Sequence, residues 1–225
     1  EIAAEKYGFN LTYTDSKFEN DQKNLIGTMS KIHIYFVNNM KEGKSPESID
    51  YLKSRYLDGN DIKEFQLGFA EKDEKNINDF FKKNNLSKTD LKNLGLLSER
   101  GNFLFKNRII FPITNLRNET VGFGGRAIDD FGPKYLNTAE SSIYRKNRTL
   151  YFTNEFLSDV KKKKFVILVE GYFDVIAFNK LGFNNVASPS GTALTVQQIN
   201  LLSRYTKEVY LCFDNDAAGD SASKR

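Results

Sequence analysis

Hydrophobic positions along the chain change period twice, and the changes divide it into three stretches. In the first stretch the spacing is mostly helical. Ile32, Ile34, Tyr35, Phe36 and Met40 predict a helix over residues 30 to about 40. Residues 1 to about 30 read as a helical remnant and then a polar segment, residues 12–23, with no strong period. Ser45-Pro46-Glu47-Ser48 is a helix start, with proline in the first turn where its missing N–H costs nothing. It leads an apolar stripe of Ile49, Tyr51, Leu52 and Tyr56. Asp58-Gly59-Asn60-Asp61 is a turn and N-cap signal before a short helix. Residues 65–69 are strand-like, and further helices are predicted at residues 77–83 and 88–94. These lengths suit a compact α/β subdomain.

In the second stretch the period becomes that of strands. Arg108-Ile109-Ile110-Phe111-Pro112-Ile113 and Thr120-Val121-Gly122-Phe123-Gly124-Gly125-Arg126 flank the turn-rich residues 115–119, the pattern of an antiparallel hairpin. Pro112 lacks an N–H and predicts an edge or a bulge at that point. From Phe165 strands and helices alternate. Phe165-Val166-Ile167-Leu168-Val169 is a continuous apolar run suited to a strand buried on both faces. A helix follows over residues 172–181, a short strand over 185–187, a helix over 195–205, a second buried strand over 209–213, and the start of a helix at Asp216. Short loops between such elements imply a parallel sheet with right-handed crossovers.

Composition removes several classes of function. No apolar run approaches the roughly 18 to 20 residues of a membrane span. Residues 1–5 lack the basic-then-apolar pattern of a secretion signal. One cysteine, Cys212, and one histidine, His33, exclude a disulfide or a Cys/His zinc site within this chain. Cys212 lies in an apolar run and reads as a buried structural thiol; His33, among Ile32, Ile34 and Tyr35, is given no catalytic role. The net charge of +4 is concentrated: residues 101–164 hold 12 basic against 6 acidic residues, and the flanking stretches are nearly neutral. Lys161, Lys162, Lys163 and Lys164 account for four of that excess and read equally as a solvated run. A basic middle beside acidic motifs is what a polyanion track leading to a metal site requires.

Those acidic motifs are Val169-Glu170-Gly171-Tyr172-Phe173-Asp174 and Phe213-Asp214-Asn215-Asp216. Each follows an apolar strand, at the sheet edge where ligands of open parallel sheets bind. Carboxylates converging there repel one another and need a compensating cation. Mg²⁺ (or Mn²⁺) suits hard oxygen ligands and substrate phosphates. Such ions orient a hydroxyl and stabilise the leaving oxygen in phosphoryl transfer. Helix capping would account for Asp174 or Asp216 alone, but less readily for Glu170 and Asp214 on matching strand ends. Gly171 is expected to allow a sharp turn after Glu170. Arg126 follows three glycines in four positions, which would let a backbone approach a strand closely while the guanidinium grips phosphate. Lys134, Lys146 and Arg148 add cations, Tyr135 offers a ring for stacking, and Asn137 offers hydrogen bonds. Arg108, at a strand start, is a further candidate, with an ordinary surface role as its alternative.

The acidic motifs, together with Ser188-Pro189-Ser190-Gly191-Thr192-Ala193, resemble the Toprim module of DnaG-type primases. The upstream half is similar to the polymerase core of the same family through Asn107-Arg108-Ile109-Ile110-Phe111-Pro112, Gly122-Phe123-Gly124-Gly125-Arg126, Pro133-Lys134-Tyr135-Leu136-Asn137 and Tyr144-Arg145-Lys146-Asn147-Arg148. So is Tyr51-Leu52-Lys53-Ser54-Arg55 leading to Phe65-Gln66-Leu67-Gly68-Phe69. The resemblance implies an α/β fold: a mixed α/β basic subdomain over residues 31–160, then a truncated Toprim domain with a parallel sheet over 161–225. Residues 1–30 would be the tail of a zinc-binding domain, so zinc belongs only to a domain absent from this chain. It implies Glu170, Asp214 and Asp216 as catalytic metal ligands, with Gly171, Asp174 and Gly191 in support. Arg108, Arg126, Lys134, Tyr135, Asn137, Lys146 and Arg148 would line a groove for template, primer and nucleotide. The implied activity is synthesis of short RNA primers on single-stranded DNA from ribonucleoside triphosphates, beside a replicative helicase, in a bacterial cytoplasm or nucleoid or a DNA-containing organelle. A further acidic motif of the family would lie beyond Arg225, so these residues alone are expected to prime weakly or not at all. A primase–helicase fusion and a non-catalytic single-stranded-DNA-binding module are the alternatives.

Overall fold

The computed structural model describes residues 16–214 apart from 131 and 192. The architecture is α/β and contains two sheets. Helices α1 (Ser16–Lys41), α2 (Pro46–Ser54) and α3 (Gly59–Glu64) precede strand β1 (Gly68–Ala70), and α4 (Lys75–Lys83) and α5 (Lys88–Asn93) follow it. Strands β2 (Arg108–Thr114), β3 (Thr120–Ala127) and β4 (Tyr135–Asn137) complete an antiparallel sheet of order β1-β2-β3-β4. Helix α6 (Phe156–Lys163) then leads into β5 (Phe165–Val169), α7 (Tyr172–Lys180), β6 (Val186–Ala187), α8 (Val196–Leu202) and β7 (Glu208–Cys212). The last three strands form a parallel sheet, β6-β5-β7. No helix among the described residues is long and apolar enough to cross a membrane.

Strand alternation divides the antiparallel sheet's two faces between two cores. Ile109, Phe111 and Ile113 of β2 pack with Tyr172, Phe173 and Ile176 of α7. Ile110 and Phe123 pack the other way, against Met29, Ile32 and Phe36 of α1 and Phe81 of α4. Each fully buried Phe or Ile in these layers contributes about 1.5–3 kcal/mol relative to exposure. Helix α7 therefore belongs to both halves of the molecule. Its N-terminal ring, Tyr172, fits because position 124 is glycine: a Cβ there would lie 2.3 Å from the Tyr172 ring. Its C-terminal Lys180 Nζ pairs with Asp61 Oδ2 at 2.6 Å and donates to the Tyr56 carbonyl at 2.7 Å. His33 is a core residue, with Nε2 2.9 Å from the Gln66 carbonyl and Nδ1 3.3 Å from Thr120 Oγ1.

Several predicted elements differ in detail. The polar segment before residue 30 is already helical from Ser16. Residues 20–28 are exposed or half-buried, so those turns carry no apolar stripe to read. The strand expected at residues 65–69 starts only at Gly68, because Phe65 ends α3 and Gln66 takes a left-handed backbone (φ 50°). Pro112 lies in a strand with neighbours on both sides, but β1 pairs only with Arg108, Ile109 and Ile110, so Pro112 is locally at an edge. A register irregularity follows at Ile113/Thr114. Strand β7, expected to be buried on both faces, is exposed along its length, and Cys212 is an exposed free thiol instead of a buried one. Among the described residues β7 is the sheet's outer strand. An apolar run announces a strand without saying whether it is central.

Candidate metal and nucleic-acid site

The parallel register sets the acidic residues side by side. Val169 of β5 pairs with Cys212 of β7, so the chain leaves both strands at the same edge. Glu170 follows β5 directly, and Asp214 follows β7 by two residues. The Asp214 N–H donates to Glu170 Oε1 at 3.1 Å. Asp174, in the first turn of α7, accepts the Gly171 N–H at 2.8 Å. Its carboxyl is raised above the usual aspartate range, first by burial and then by the negative charge of Asp214; the Gly171 N–H and Arg55 act in the opposite sense. Asp214 and Asp174 thus share one local field. Asp216 lies outside the described residues. Among the described residues no three acidic, histidine or cysteine side chains converge on one point.

Gly171 does not make the sharp turn expected of it. Its backbone is extended (φ −136°, ψ 179°), open to any residue, and an added Cβ would press on Asp174 Oδ2 at 3.3 Å. The turn is instead in the loop after β6, where Ser190 (φ 55°) and Gly191 (φ 81°) are both left-handed. That region suits glycine and strains serine.

Opposite the acidic rim lies a cationic and aromatic cluster. The Arg126 guanidinium sits 4.9 Å from the Tyr51 ring and 5.6 Å from the Tyr135 ring, a cation–π sandwich. Its Nη1 donates to the Ala127 carbonyl, and its buried Nε has no protein partner. Arg55 lies over Phe173 at 4.9 Å. Tyr135, 39% exposed, has its hydroxyl raised first by burial, and both Arg55 and Asp174 act on it. The Tyr135 ring lies 6.2 Å from that of Tyr172, two residues after Glu170, which sets the furrow beside the acidic rim. Lys134 is exposed, and the short helical turn Lys146–Arg148 is held by Gln198, whose Nε2 donates to the Lys146 and Thr149 carbonyls at 3.1 and 2.7 Å. Thr195 Oγ1 adds a bond to the Asn147 carbonyl at 2.6 Å. No ion pair among the described residues involves Lys134, Lys146 or Arg148.

Two candidates stand differently from the rest. Arg108 is 4% exposed, neither a surface residue nor open to the furrow. Its Nη1 donates to the Gly125 and Pro133 carbonyls at 3.2 and 2.9 Å, bracing β3 against the turn before β4. Asn137 has both ends of its amide engaged: Oδ1 accepts from Tyr172 Oη at 2.5 Å, and Nδ2 donates to the Ser190 carbonyl at 3.1 Å. Conversely, Tyr51 and Arg55 were visible only as part of a motif. Tyr51 lies in the last turn of α2 and Arg55, four residues on, is its C-cap, a spacing that sets both on one side of the helix.

An acidic pair thus stands at the C-terminal rim of the parallel sheet, beside an arginine–tyrosine cluster on the antiparallel sheet. Residues 35–157 match the family model of the DNA primase catalytic core, N-terminal domain, and residues 167–225 match the Toprim-like model. The chain belongs to the DNA primase catalytic-core family. It is 39% identical over 230 residues to the DNA primase of Campylobacter jejuni, covering 100% of this chain and 37% of that protein. The crystal structure of the Aquifex aeolicus primase zinc-binding and RNA polymerase domains superposes with a TM-score of 0.81 at 35% identity, over 98% of this chain and 54% of that one. A DnaG primase catalytic domain bound to single-stranded DNA superposes with a TM-score of 0.81 at 32% identity, over 91% of this chain and 66% of that one. The chain spans just over a third of the length of the curated relatives it matches.

Proposed function

We propose that this chain carries part of the catalytic centre of a DNA primase, which makes short RNA primers on single-stranded DNA by metal-dependent nucleotidyl transfer. The observation that carries the reading is the Asp214 N–H on Glu170 Oε1, at the sheet edge facing the furrow. Hard carboxylate oxygens gathered in one negative field fit a divalent cation, Mg²⁺ or Mn²⁺. Glu170 and Asp214 would hold it, with Asp216 as the ligand the resemblance adds. When bound, the cation supplies charge neutralisation at the transferring phosphoryl group and at the hydroxyl that attacks it.

This chain's own residues do the rest by position and charge. Arg126, Lys134, Lys146 and Arg148 bind the phosphates of template, primer and ribonucleoside triphosphate, and Tyr135 stacks on a base or sugar. Arg55 and Tyr51 join Arg126 in walling the furrow. Glu170 and Asp214 would hold the cation against this wall, since bare carboxylates repel the reacting phosphate. The single-stranded DNA bound by a similar DnaG primase catalytic domain supports a DNA template as the ligand, and primer synthesis would put the whole protein to work on replicating DNA with a replicative helicase as its partner. The test is priming on single-stranded DNA by the full-length protein. Glu170→Gln should reduce the rate at least about a hundredfold and leave DNA binding intact. Wild-type priming by that variant would remove Glu170 from the metal site, and a full-length wild-type protein that binds single-stranded DNA without priming would point to a DNA-binding module without catalysis.

A further inference from the structure

The hydrogen bonds of Asn137 belong to a closed ring that crosses from the antiparallel sheet to the parallel one. Tyr172 Oη donates to Asn137 Oδ1 at 2.5 Å, and Asn137 Nδ2 donates to the Ser190 carbonyl at 3.1 Å. The Ser190 N–H donates to Ser188 Oγ at 2.8 Å, and Ser188 Oγ donates to the Glu170 carbonyl at 2.6 Å. Glu170 is joined to Tyr172 through Gly171, which closes the ring covalently. We infer that Asn137 and Tyr172 are positioning residues: through Ser190 and Ser188 they fix the backbone of Glu170 and so aim its carboxylate at the Asp214 side of the rim. The inference rests on the reading that Glu170 and Asp214 hold a divalent cation.

Three features make the ring a device for aiming rather than ordinary packing. Its anchor is rigid. The Tyr172 ring is stacked on Phe111 (4.8 Å, 17°), edge-on to Tyr151 (4.7 Å) and seated over Gly124, so the hydroxyl has one place to be. Its middle is a bend held from within by the Ser190 N–H on Ser188 Oγ and from the antiparallel sheet by Asn137. Ser190 and Gly191 are successive left-handed residues, and Asn137 grips the carbonyl of the strained serine. Its end is the residue whose Oε1 accepts the Asp214 N–H. Tyr135 lies two residues before Asn137 on β4, beside Arg126, so the element that carries Asn137 also carries a wall of the furrow. The two bonds fix the orientation of the Asn137 amide and leave it one N–H and one lone pair.

The experiment uses the full-length protein with two readouts: Mn²⁺ affinity by electron paramagnetic resonance, and single-stranded-DNA affinity by fluorescence anisotropy. Tyr172→Phe removes one hydroxyl and keeps the stacked ring. Asn137→Leu removes both amide bonds at similar size, and Ser188→Ala breaks the ring at a third point should Asn137→Leu unfold. Each single variant is expected to weaken Mn²⁺ binding about tenfold, the lower end of the effect of groups that orient a metal ligand. The Tyr172→Phe/Asn137→Leu double variant should be no weaker than its weaker parent, because both cut one ring. DNA affinity should stay within about twofold. The inference is overturned if folded single variants bind Mn²⁺ like the wild type while Glu170→Gln does not. It is equally overturned if Asn137→Leu loses DNA affinity with Mn²⁺ binding intact. Undiminished Mn²⁺ binding by Glu170→Gln would overturn the metal reading itself, and the ring's purpose with it.

Discussion

Two strands written in similar apolar runs, one from each sheet, are covered differently. Strand β2 of the antiparallel sheet is covered on both faces, by α7 on one side and α1 on the other, and residues 108–113 are all buried. Strand β7 of the parallel sheet has every residue exposed; Val209, Tyr210 and Leu211 keep 44–50% of their surface. The difference concerns the site directly. Glu170 is placed by β5, by α7 and by the ring through Asn137, all tied to the covered sheet. Asp214 is placed by β7 pairing with β5 and by one hydrogen bond to Glu170. One acidic residue is thus held by a packed core and its partner by a strand that the described residues leave open.

That contrast can be broken at three points. The largest effect belongs to Phe111, fully buried and in contact with Tyr151, Tyr172 and Phe173. Phe111→Ala is expected to cost about 3–5 kcal/mol in urea unfolding, with Mn²⁺ affinity falling in the same variant because α7 loses its seat. A loss below about 1 kcal/mol would mean that this face is not a packed core. Next comes His33, on the covered side. Burial lowers its pKa below the ordinary 6.5, against a smaller opposing effect of the Gln66 carbonyl. Between the two values the unfolded chain binds more protons, so the stabilisation is complete above about pH 6.5 and is lost as pH falls through the lower folded value. Tm should drop from about pH 7.5 to about 5.5, and His33→Gln should flatten that slope; an unchanged slope would assign the acid loss to other groups. The smallest effect belongs to β7: Leu211→Ala should change stability by no more than about 0.5 kcal/mol in this chain. A cost near that of Phe111→Ala would show that β7 is covered after all.

Much of the fold was legible because it is local. The apolar runs at 165–169 and 209–213, the glycine-rich hairpin, and the caps at Ser45 and Asp58 each announce an element within a few residues. What was not legible is set by distant partners. The first turns of α1 carry no apolar stripe. Cys212 sits in a strand whose exposure depends on what lies beside it. Arg108 resembles a phosphate ligand until the Gly125 and Pro133 carbonyls are seen to take its guanidinium. Tyr51 and Arg55 join the furrow only once α2 is laid against Arg126 and Phe173. Asn137 stood out by its type, but its two bonds reach residues 35 and 53 positions away. Asp216 lies outside the described residues.

The central claim is that Glu170 and Asp214 share one divalent cation. The most direct measurement is anomalous scattering from crystals of the full-length protein soaked in Mn²⁺. The account expects a peak within about 2.0–2.4 Å of a carboxylate oxygen of each residue, or joined to one of them through a single water. A peak elsewhere, or an ion bound by Asp174 without Glu170, would contradict it.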